Sequence, residues 1–212
     1  LEGTITFADA LAQNFFLQDG TGGIFVRGWQ DGLRAGRSIS LTGRTQPGGV
    51  GRVVTLTSAT DRGQGNFPEP VRADHAQLMS GKLDAQWVEV EGVARSVNVQ
   101  PFSTTLRVAT LAGVFEAIIS HRATTNSLQY LVNSEVRVRG TCGAVPGAPG
   151  AAGTFQLRMP FMSNLTMTAR APTNAFAIGA LSAAHVTTNR LAKIGLHRVR
   201  VQGVATLVKG TE

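Results

Sequence analysis

Residues 15–27 read FFLQDGTGGIFVR. Two alternating runs, residues 15–18 and 23–27, flank the tetrapeptide Asp-Gly-Thr-Gly. An Asp-Gly pair between such runs predicts a β-hairpin, because both residues accept the backbone conformation of a tight turn. We therefore expect an all-β protein built around hairpins.

The composition supports that prediction. The chain has 212 residues, 42% of them hydrophobic, which is enough to bury a core and excludes a disordered chain. Gly is abundant at 25 residues, and the apolar set is rich in Val, as pleated strands and frequent turns require. No stretch approaches the roughly 20 apolar residues that a membrane-spanning helix needs.

The net charge is +7, and most of the cations are Arg. Arginine forks grip phosphate and carboxylate groups, so nucleic acid is one candidate partner. The arginines occur singly in the alternating segments and form no basic run. We favour scattered solubilising charge over a nucleic-acid footprint.

The sequence also repeats itself. Residues 1–6, 88–94 and 199–205 each alternate around a Gly, which predicts a half-buried strand that bends at the glycine. Residues 33–43 parallel residues 130–140, with Gly36 and Asn133 at a tight turn that needs positive φ. The remaining predicted elements are a second hairpin without Asp-Gly (105–108 and 114–118), flexible loops (45–51 and 144–153) and further strands (52–59 and 154–159).

Five strands recur in each copy, in the order of an OB fold, the five-stranded Greek-key barrel. We predict an all-β chain with two tandem OB-fold domains, short helical linkers and the first strand of a third repeat. The first linker helix is expected to be capped by Asp74 and ended by Gly81, and the second to cover residues 181–186. The predicted boundaries are 1–70 and 87–170 for the barrels, 71–86 and 171–196 for the linkers, and 197–212 for the third repeat.

Four phrases resemble the repeated extracytoplasmic region of certain bacterial two-component sensor histidine kinases. They are FFLQDGTGGIFV at 15–26, LRAGRSISLTGRT at 33–45, LMSGKLDAQWVEVEGVARSV at 78–97 and HRVRVQGVATLV at 197–208. The resemblance implies a periplasmic sensory role, with tandem OB-like domains preceding a transmembrane helix and a kinase in a dimeric parent. The hairpin phrase is also similar to OB domains of secreted nucleases and aminoacyl-tRNA synthetases.

The sequence shows no arrangement typical of catalysis. The four histidines, at 75, 121, 185 and 197, are far apart, and Cys142 is the single cysteine, so neither a metal cluster nor an internal disulfide is expected. Residues 20–23 are glycine-rich but lack the Gly-Lys-Ser/Thr of a phosphate loop. We predict a protein that is not an enzyme, with no cofactor and no metal.

A ligand would sit on the outward face of the first hairpin, since OB folds bind on their second and third strands. Alternation sends Phe15, Leu17, Ile24 and Val26 to the core. The candidate ligand-binding residues are Phe16, Gln18, Phe25, Arg27, Trp29 and Arg44. The competing interpretation, which we favour, is that this face packs against the neighbouring barrel or linker, with Trp87 as an interdomain contact.

The leading functional hypothesis is a non-catalytic, extracytoplasmic sensory, ligand-binding or scaffolding module of a bacterial receptor, tethered to the inner membrane. Its partners would be the rest of that receptor and a small-molecule, sugar or peptide ligand. The alternatives are a single-stranded nucleic-acid-binding module and a structural spacer without ligand. Because the chain opens on Leu1, we expect it to be a piece of a longer protein.

Overall fold

The computed structural model describes residues 1–48, 51–120, 128–147, 153–174, 180–182, 200–201 and 204. The first five strands close into a barrel in the order β1-β2-β3-β5-β4. They are β1 (Glu2–Asp9), β2 (Asn14–Gln18), β3 (Gly23–Arg27), β4 (Arg37–Pro47) and β5 (Arg52–Gln64). All neighbours run antiparallel except β3 and β5, which are parallel. This is the OB topology that the sequence predicts.

A second barrel repeats this order as β7-β8-β9-β11-β10 and closes through pairing of β10 with β7. Its strands are β7 (Trp87–Gln100), β8 (Ser103–Thr110), β9 (Gly113–Ser120), β10 (Glu135–Val145) and β11 (Thr154–Met159). Here the third and fifth strands, β9 and β11, are again the parallel pair. The prediction of two tandem OB folds is confirmed.

Other short elements surround the barrels. They are β6 (Val71–Arg72), α1 (His75–Met79), the 3-10 helices Leu128–Leu131 and Met162–Asn164, β12 (Leu165–Ala169), β13 (Ala180–Leu181) and β14 (Arg200–Val201). Within the described residues, no helix is long and apolar enough to cross a membrane.

The alternation of the first hairpin produces the core that the sequence predicts. Phe15, Leu17 and Val26 are buried in the first barrel, and Ile24 packs against them. Asp19 closes the turn, because its side chain accepts hydrogen bonds from the N–H of Thr21 at 2.7 Å and of Gly22 at 3.1 Å. These bonds, led by one from the Thr21 hydroxyl, lower the pKa of Asp19.

The glycine of the first strand has the same role in both barrels. A Cβ on Gly3 would lie 2.6 Å from the Gln18 carbonyl oxygen, and one on Gly92 would lie 2.5 Å from that of Ala109. A β-bulge follows each glycine, between Ile5 and Phe7 in β1 and between Ala94 and Ser96 in β7. Close approach and bulge together bend the strand sharply enough to close a small barrel.

Two turn predictions and one helix prediction are confirmed. Gly36 and Asn133 have φ of 84° and 66°. Asp74 caps α1, since its carboxylate accepts from the N–H of Gln77 while its own N–H donates to the Gln77 side chain. The helix ends before Gly81, which has φ of 73°.

Several element bounds differ from the prediction. The expected loop 45–51 begins in β4, because residues 45–47 continue the antiparallel pairing with β5 as far as Pro47 opposite Arg52. The second hairpin is longer than predicted and pairs from Ser103 opposite Ser120 to Thr110 opposite Gly113. In both cases pairing with the neighbouring strand continues past the alternating residues, so the strands are longer than the local sequence pattern predicts.

The third repeat and second linker lie largely outside the described residues. Of the helix predicted at 181–186, Leu181 belongs to β13, and residues 183–186 are not described. Within the described part, β13 pairs in parallel with β14, the only described strand of the predicted third repeat.

Candidate ligand-binding cleft between the barrels

The two barrels meet through buried polar contacts. The Gln18 side-chain oxygen accepts a hydrogen bond from the N–H of Trp87 at 2.7 Å. The Thr141 hydroxyl donates to the Thr6 hydroxyl at 2.9 Å, and both side chains are fully buried. Thr6 is the residue at the β1 bulge, so the bend of the strand directs its side chain to the second barrel.

An apolar cluster completes this junction. It consists of Phe7, Phe16 and Ala85, with Phe25 packed against it. The ring centroids of Phe16 and Phe25 lie 5.1 Å apart and those of Phe7 and Phe16 lie 6.3 Å apart. Trp87 is buried nearby, with its ring 4.9 Å from that of Phe67, in agreement with the interdomain contact that the sequence predicts.

Strand register arranges the outer face of the first barrel in two rows, because directly paired residues point to the same side of a sheet. One row runs Phe16, Phe25, Val53 and Gln46 across β2, β3, β5 and β4. The adjacent row, two residues along each strand, runs Asn14, Arg27, Thr55 and Arg44. An aromatic row therefore lies beside a polar, cationic one.

A cleft of about 210 Å³ opens where these rows meet the second barrel. The first barrel contributes Asn14, Phe16, Phe25, Arg27, Arg52 and Val53 to its walls. The opposite wall is formed by residues 143–146 at the end of β10, with Arg158 of β11 and Asp84 of the linker. The Asp84 carboxylate accepts from the N–H of Ala144 at 2.8 Å and so holds that wall in place.

The charge in the cleft is predominantly positive. Arg27, Arg52 and Arg158 line it against the single carboxylate of Asp84. Among the described residues, no ion pair within 4.0 Å involves any of these arginines. Cations without a carboxylate partner beside the half-buried ring of Phe25 suit an anion that carries flat groups.

The structure brings together only some of the predicted ligand-binding residues. Phe16, Phe25 and Arg27 line the cleft, whereas Gln18 is buried and hydrogen-bonded in the junction. Arg44 lies exposed in the cationic row, outside the cleft walls. The sequence placed Trp29 beside Phe16 and Phe25, but Trp29 packs against the core of the first barrel.

Gly28 explains that difference. Its φ of 111° breaks the strand alternation directly after Arg27, so Trp29 turns back over the barrel. Sequence reasoning also missed Asn14, Arg52 and Arg158. Alternation along β2 could have identified Asn14, because it lies two residues before Phe16 on the same face of the strand. Arg52 and Arg158 reach the cleft through long-range pairing, and no local motif marks them.

Cys142 lies in β10 just before the cleft wall and is buried. Burial raises the pKa of its thiol to about 12, and the negative charge of Asp84 adds to the increase. Because the thiolate is the reactive form, we expect no measurable reaction of the native protein with an aromatic disulfide reagent at pH 8, and full reaction in denaturant. Absorbance of the released thiolate measures both rates, and comparable rates would contradict the prediction.

Among the described residues, no three His, Cys, Asp or Glu side chains are grouped as a metal site requires.

No family model matches the chain, and neither does any curated protein. Among solved structures, it is similar to an aspartyl-tRNA synthetase from Entamoeba histolytica, with 12% identity and a TM-score of 0.37 over 49% of this chain. It is also similar to a murine DNA-binding protein bound with double-stranded DNA, with 10% identity and a TM-score of 0.36 over 80% of this chain and 97% of the other. A third likeness is the p204 HINb domain, with 12% identity and a TM-score of 0.33 over 74% of this chain and 83% of the domain. The likeness to the synthetase spans 22% of that protein's length.

Proposed function

We propose that this chain is a non-catalytic binding module that holds single-stranded nucleic acid in the cleft between its barrels. One observation carries the proposal. Arginines from both barrels line the same cleft as the half-buried Phe25 ring, and among the described residues no carboxylate lies within ion-pair distance of these arginines. Basic groups beside stacking rings are what single-strand binding requires.

Each part of the cleft has a role in this binding. The guanidinium groups of Arg27 and Arg52 contact phosphate oxygens, and a base stacks on the half-buried ring of Phe25. Asn14 pairs directly with Arg27 across β2 and β3, and its side-chain amide supplies a donor and an acceptor for a base edge. Arg44 extends the cationic row beyond the cleft, along the direction that a backbone would follow.

Loss of both first-barrel arginines tests the proposal. We expect Arg27→Gln combined with Arg52→Gln to weaken binding of a labelled oligonucleotide of about 12 nucleotides by tenfold or more. The slope of log affinity against log salt should fall by about 1.4, because each phosphate contact on a single strand contributes about 0.7. Fluorescence anisotropy across a salt series measures both quantities.

Arg62→Gln is the matched control. It removes a cation from the opposite end of β5, where Arg62 lies 3.9 Å from Glu2 and outside the cleft. The control removes one cation and the double variant two, so an equal loss of log affinity per removed cation would mean that net charge alone attracts the oligonucleotide. Absence of oligonucleotide binding by the unaltered protein at low salt would refute the proposed function.

A sensory role is the second candidate, and the position of the cleft favours it. Both barrels and the linker contribute walls, so any ligand there would favour one relative arrangement of the barrels. Attachment to a membrane receptor, a periplasmic location and a dimeric parent remain predictions from the sequence resemblance. The open reading frame on either side of this chain tests them, since a transmembrane helix followed by a kinase domain is expected.

A further inference from the structure

A second opening lies next to the cleft. This groove, which we call the Phe102 groove, has a volume of about 820 Å³. Its first-barrel wall is residues 8–12, and its second-barrel wall includes Phe102, Thr105, Ile118 and Ser120. Phe102 is 58% exposed at the turn between β7 and β8, and Leu11 opposite is 76% exposed. The groove thus presents an open aromatic ring to solvent.

Register shows that groove and cleft are continuous. On the first barrel, Asp9 in the groove pairs directly with Asn14 in the cleft. On the second barrel, Arg158 pairs with Ile118 and lines both openings. Arg158 therefore stands at the boundary between them.

Within the described residues, the Arg158 side chain uses only part of its hydrogen-bonding capacity at this boundary. It donates one hydrogen bond to the Gln156 side chain at 3.2 Å, and its guanidinium lies 6.0 Å above the Phe7 ring. A guanidinium has five N–H donors, and only one of them is engaged in this way among the described residues, so the partly buried group can donate further bonds to an anion. Burial lowers the pKa of Arg158, and Asp9 opposes that effect.

Asp9 is the acidic residue of the groove, and both of its carboxylate oxygens accept hydrogen bonds. One accepts from the N–H groups of Leu11 and Ala12, both at 3.0 Å, and the other from the Ser120 hydroxyl at 3.4 Å. These bonds fix the loop that carries Leu11 against the second barrel. Asp9 therefore shapes the wall, and the positive charge of Arg158 offsets its negative charge.

We infer that a single strand bound in the cleft continues past Arg158 into the Phe102 groove, where a base stacks on Phe102. This inference rests on the proposed function and extends it. Arg158 contacts the phosphate between the two openings, and the ligand is a single strand long enough to occupy both. The Phe102 ring lies beyond Arg158, which lines both openings. A single strand that follows this path therefore meets a phosphate contact and then a stacking contact, the alternation that single-strand binding needs.

Oligonucleotide length separates the two openings experimentally. A strand of about 4 nucleotides matches the smallest site of one OB fold, whereas about 12 nucleotides reach both openings. We expect Phe102→Ala to weaken binding of the longer strand about tenfold and to leave binding of the shorter strand within about twofold. Arg158→Gln should weaken both, and the double Arg27→Gln, Arg52→Gln variant locates the shorter strand in the cleft.

Tyr130→Ala is the matched aromatic control, because Tyr130 is 63% exposed and lies outside both openings. If Phe102→Ala has no larger effect than Tyr130→Ala on the longer strand, the path through the groove is wrong while the proposed function stands. Equal weakening of both lengths by Phe102→Ala also overturns the path. Failure of the unaltered protein to bind either length would refute the proposed function itself. A duplex of the longer sequence should bind more weakly, and equal affinity would overturn the single-strand path.

Discussion

Gly23→Ala is expected to lower the free energy of unfolding by about 3 kcal/mol, the upper range for a group forced into a packed site. Gly23 begins β3, and a methyl group on it would overlap the backbone carbonyl of Ala85 in the linker. Backbone atoms cannot rotate away as a side chain does, so the linker itself must move. Urea denaturation measures the loss.

The same substitution disturbs the junction and the cleft. Gly23 pairs directly with Gln18, whose side chain accepts the hydrogen bond from Trp87. Displacing Ala85 therefore breaks a buried polar contact and shifts the neighbouring Asp84, which holds the cleft wall.

Gly20→Ala is the control in the same hairpin, since a Cβ on Gly20 meets no atom within 4 Å. Its denaturation midpoint should stay close to that of the unaltered protein. Coincident midpoints for the two alanine variants would show that the linker does not press on β3 as described.

Glu89→Gln is expected to cost about 2 kcal/mol at neutral pH, because hydrogen bonds to charged groups contribute roughly 1.5–3 kcal/mol. Glu89 in β7 is only 4% exposed and accepts from Arg139 at 2.7 Å, with Arg72 at 3.2 Å and Arg137 at 3.7 Å. Burial tends to raise the pKa of this carboxyl. The hydrogen bond from Arg139 and the charges of the three arginines outweigh burial and hold the pKa below its usual 4.5.

The pH dependence of this cost has a definite sign. A carboxyl with a lowered pKa in the folded state stabilises the fold above its unfolded pKa and loses that effect as the pH falls through the folded value. The difference between the unaltered protein and the variant should therefore be full above pH 4.5 and shrink below it. Denaturant unfolding at several pH values measures the difference.

Glu91→Gln is the matched control on the same strand. Glu91 also pairs with an arginine, Arg137 at 2.7 Å, but it is 63% exposed, and exposed pairs contribute little. A cost for Glu91→Gln as large as that for Glu89→Gln would mean that burial is not what gives the Glu89 cluster its strength.

The sequence was sufficient for features that depend on neighbours along the chain. Hairpin alternation identified Phe15, Leu17 and Val26 as core, and the capping pattern identified Asp74. Turn chemistry likewise identified the positive φ of Gly36 and Asn133. In each case the deciding contact lies within a few residues.

Features that depend on packing between distant segments of the chain were harder to predict from the sequence. Nothing local distinguishes Arg158 in the cleft from an arginine on an open strand, since its position follows from the parallel pairing of β11 with β9. The outward direction of Gln18 on its strand predicts a ligand-binding residue. In the structure its side chain instead accepts a hydrogen bond from the backbone N–H of Trp87, which belongs to the next barrel. Alternation gives the direction of a side chain but not what the fold places in front of it.

The contacts of residues 71–86 determine where the second barrel begins as an independent unit. β6 pairs with β7, and Leu78 enters the second core. The N–H of Ala85 donates to the carbonyl of Cys142, whose own N–H donates to the carbonyl of Gln86. This segment is thus built into the barrel that follows it. A second barrel excised at Trp87 would lose the Leu78 side chain from its core and leave part of the β7 edge unpaired, whereas one excised at Val71 would keep both.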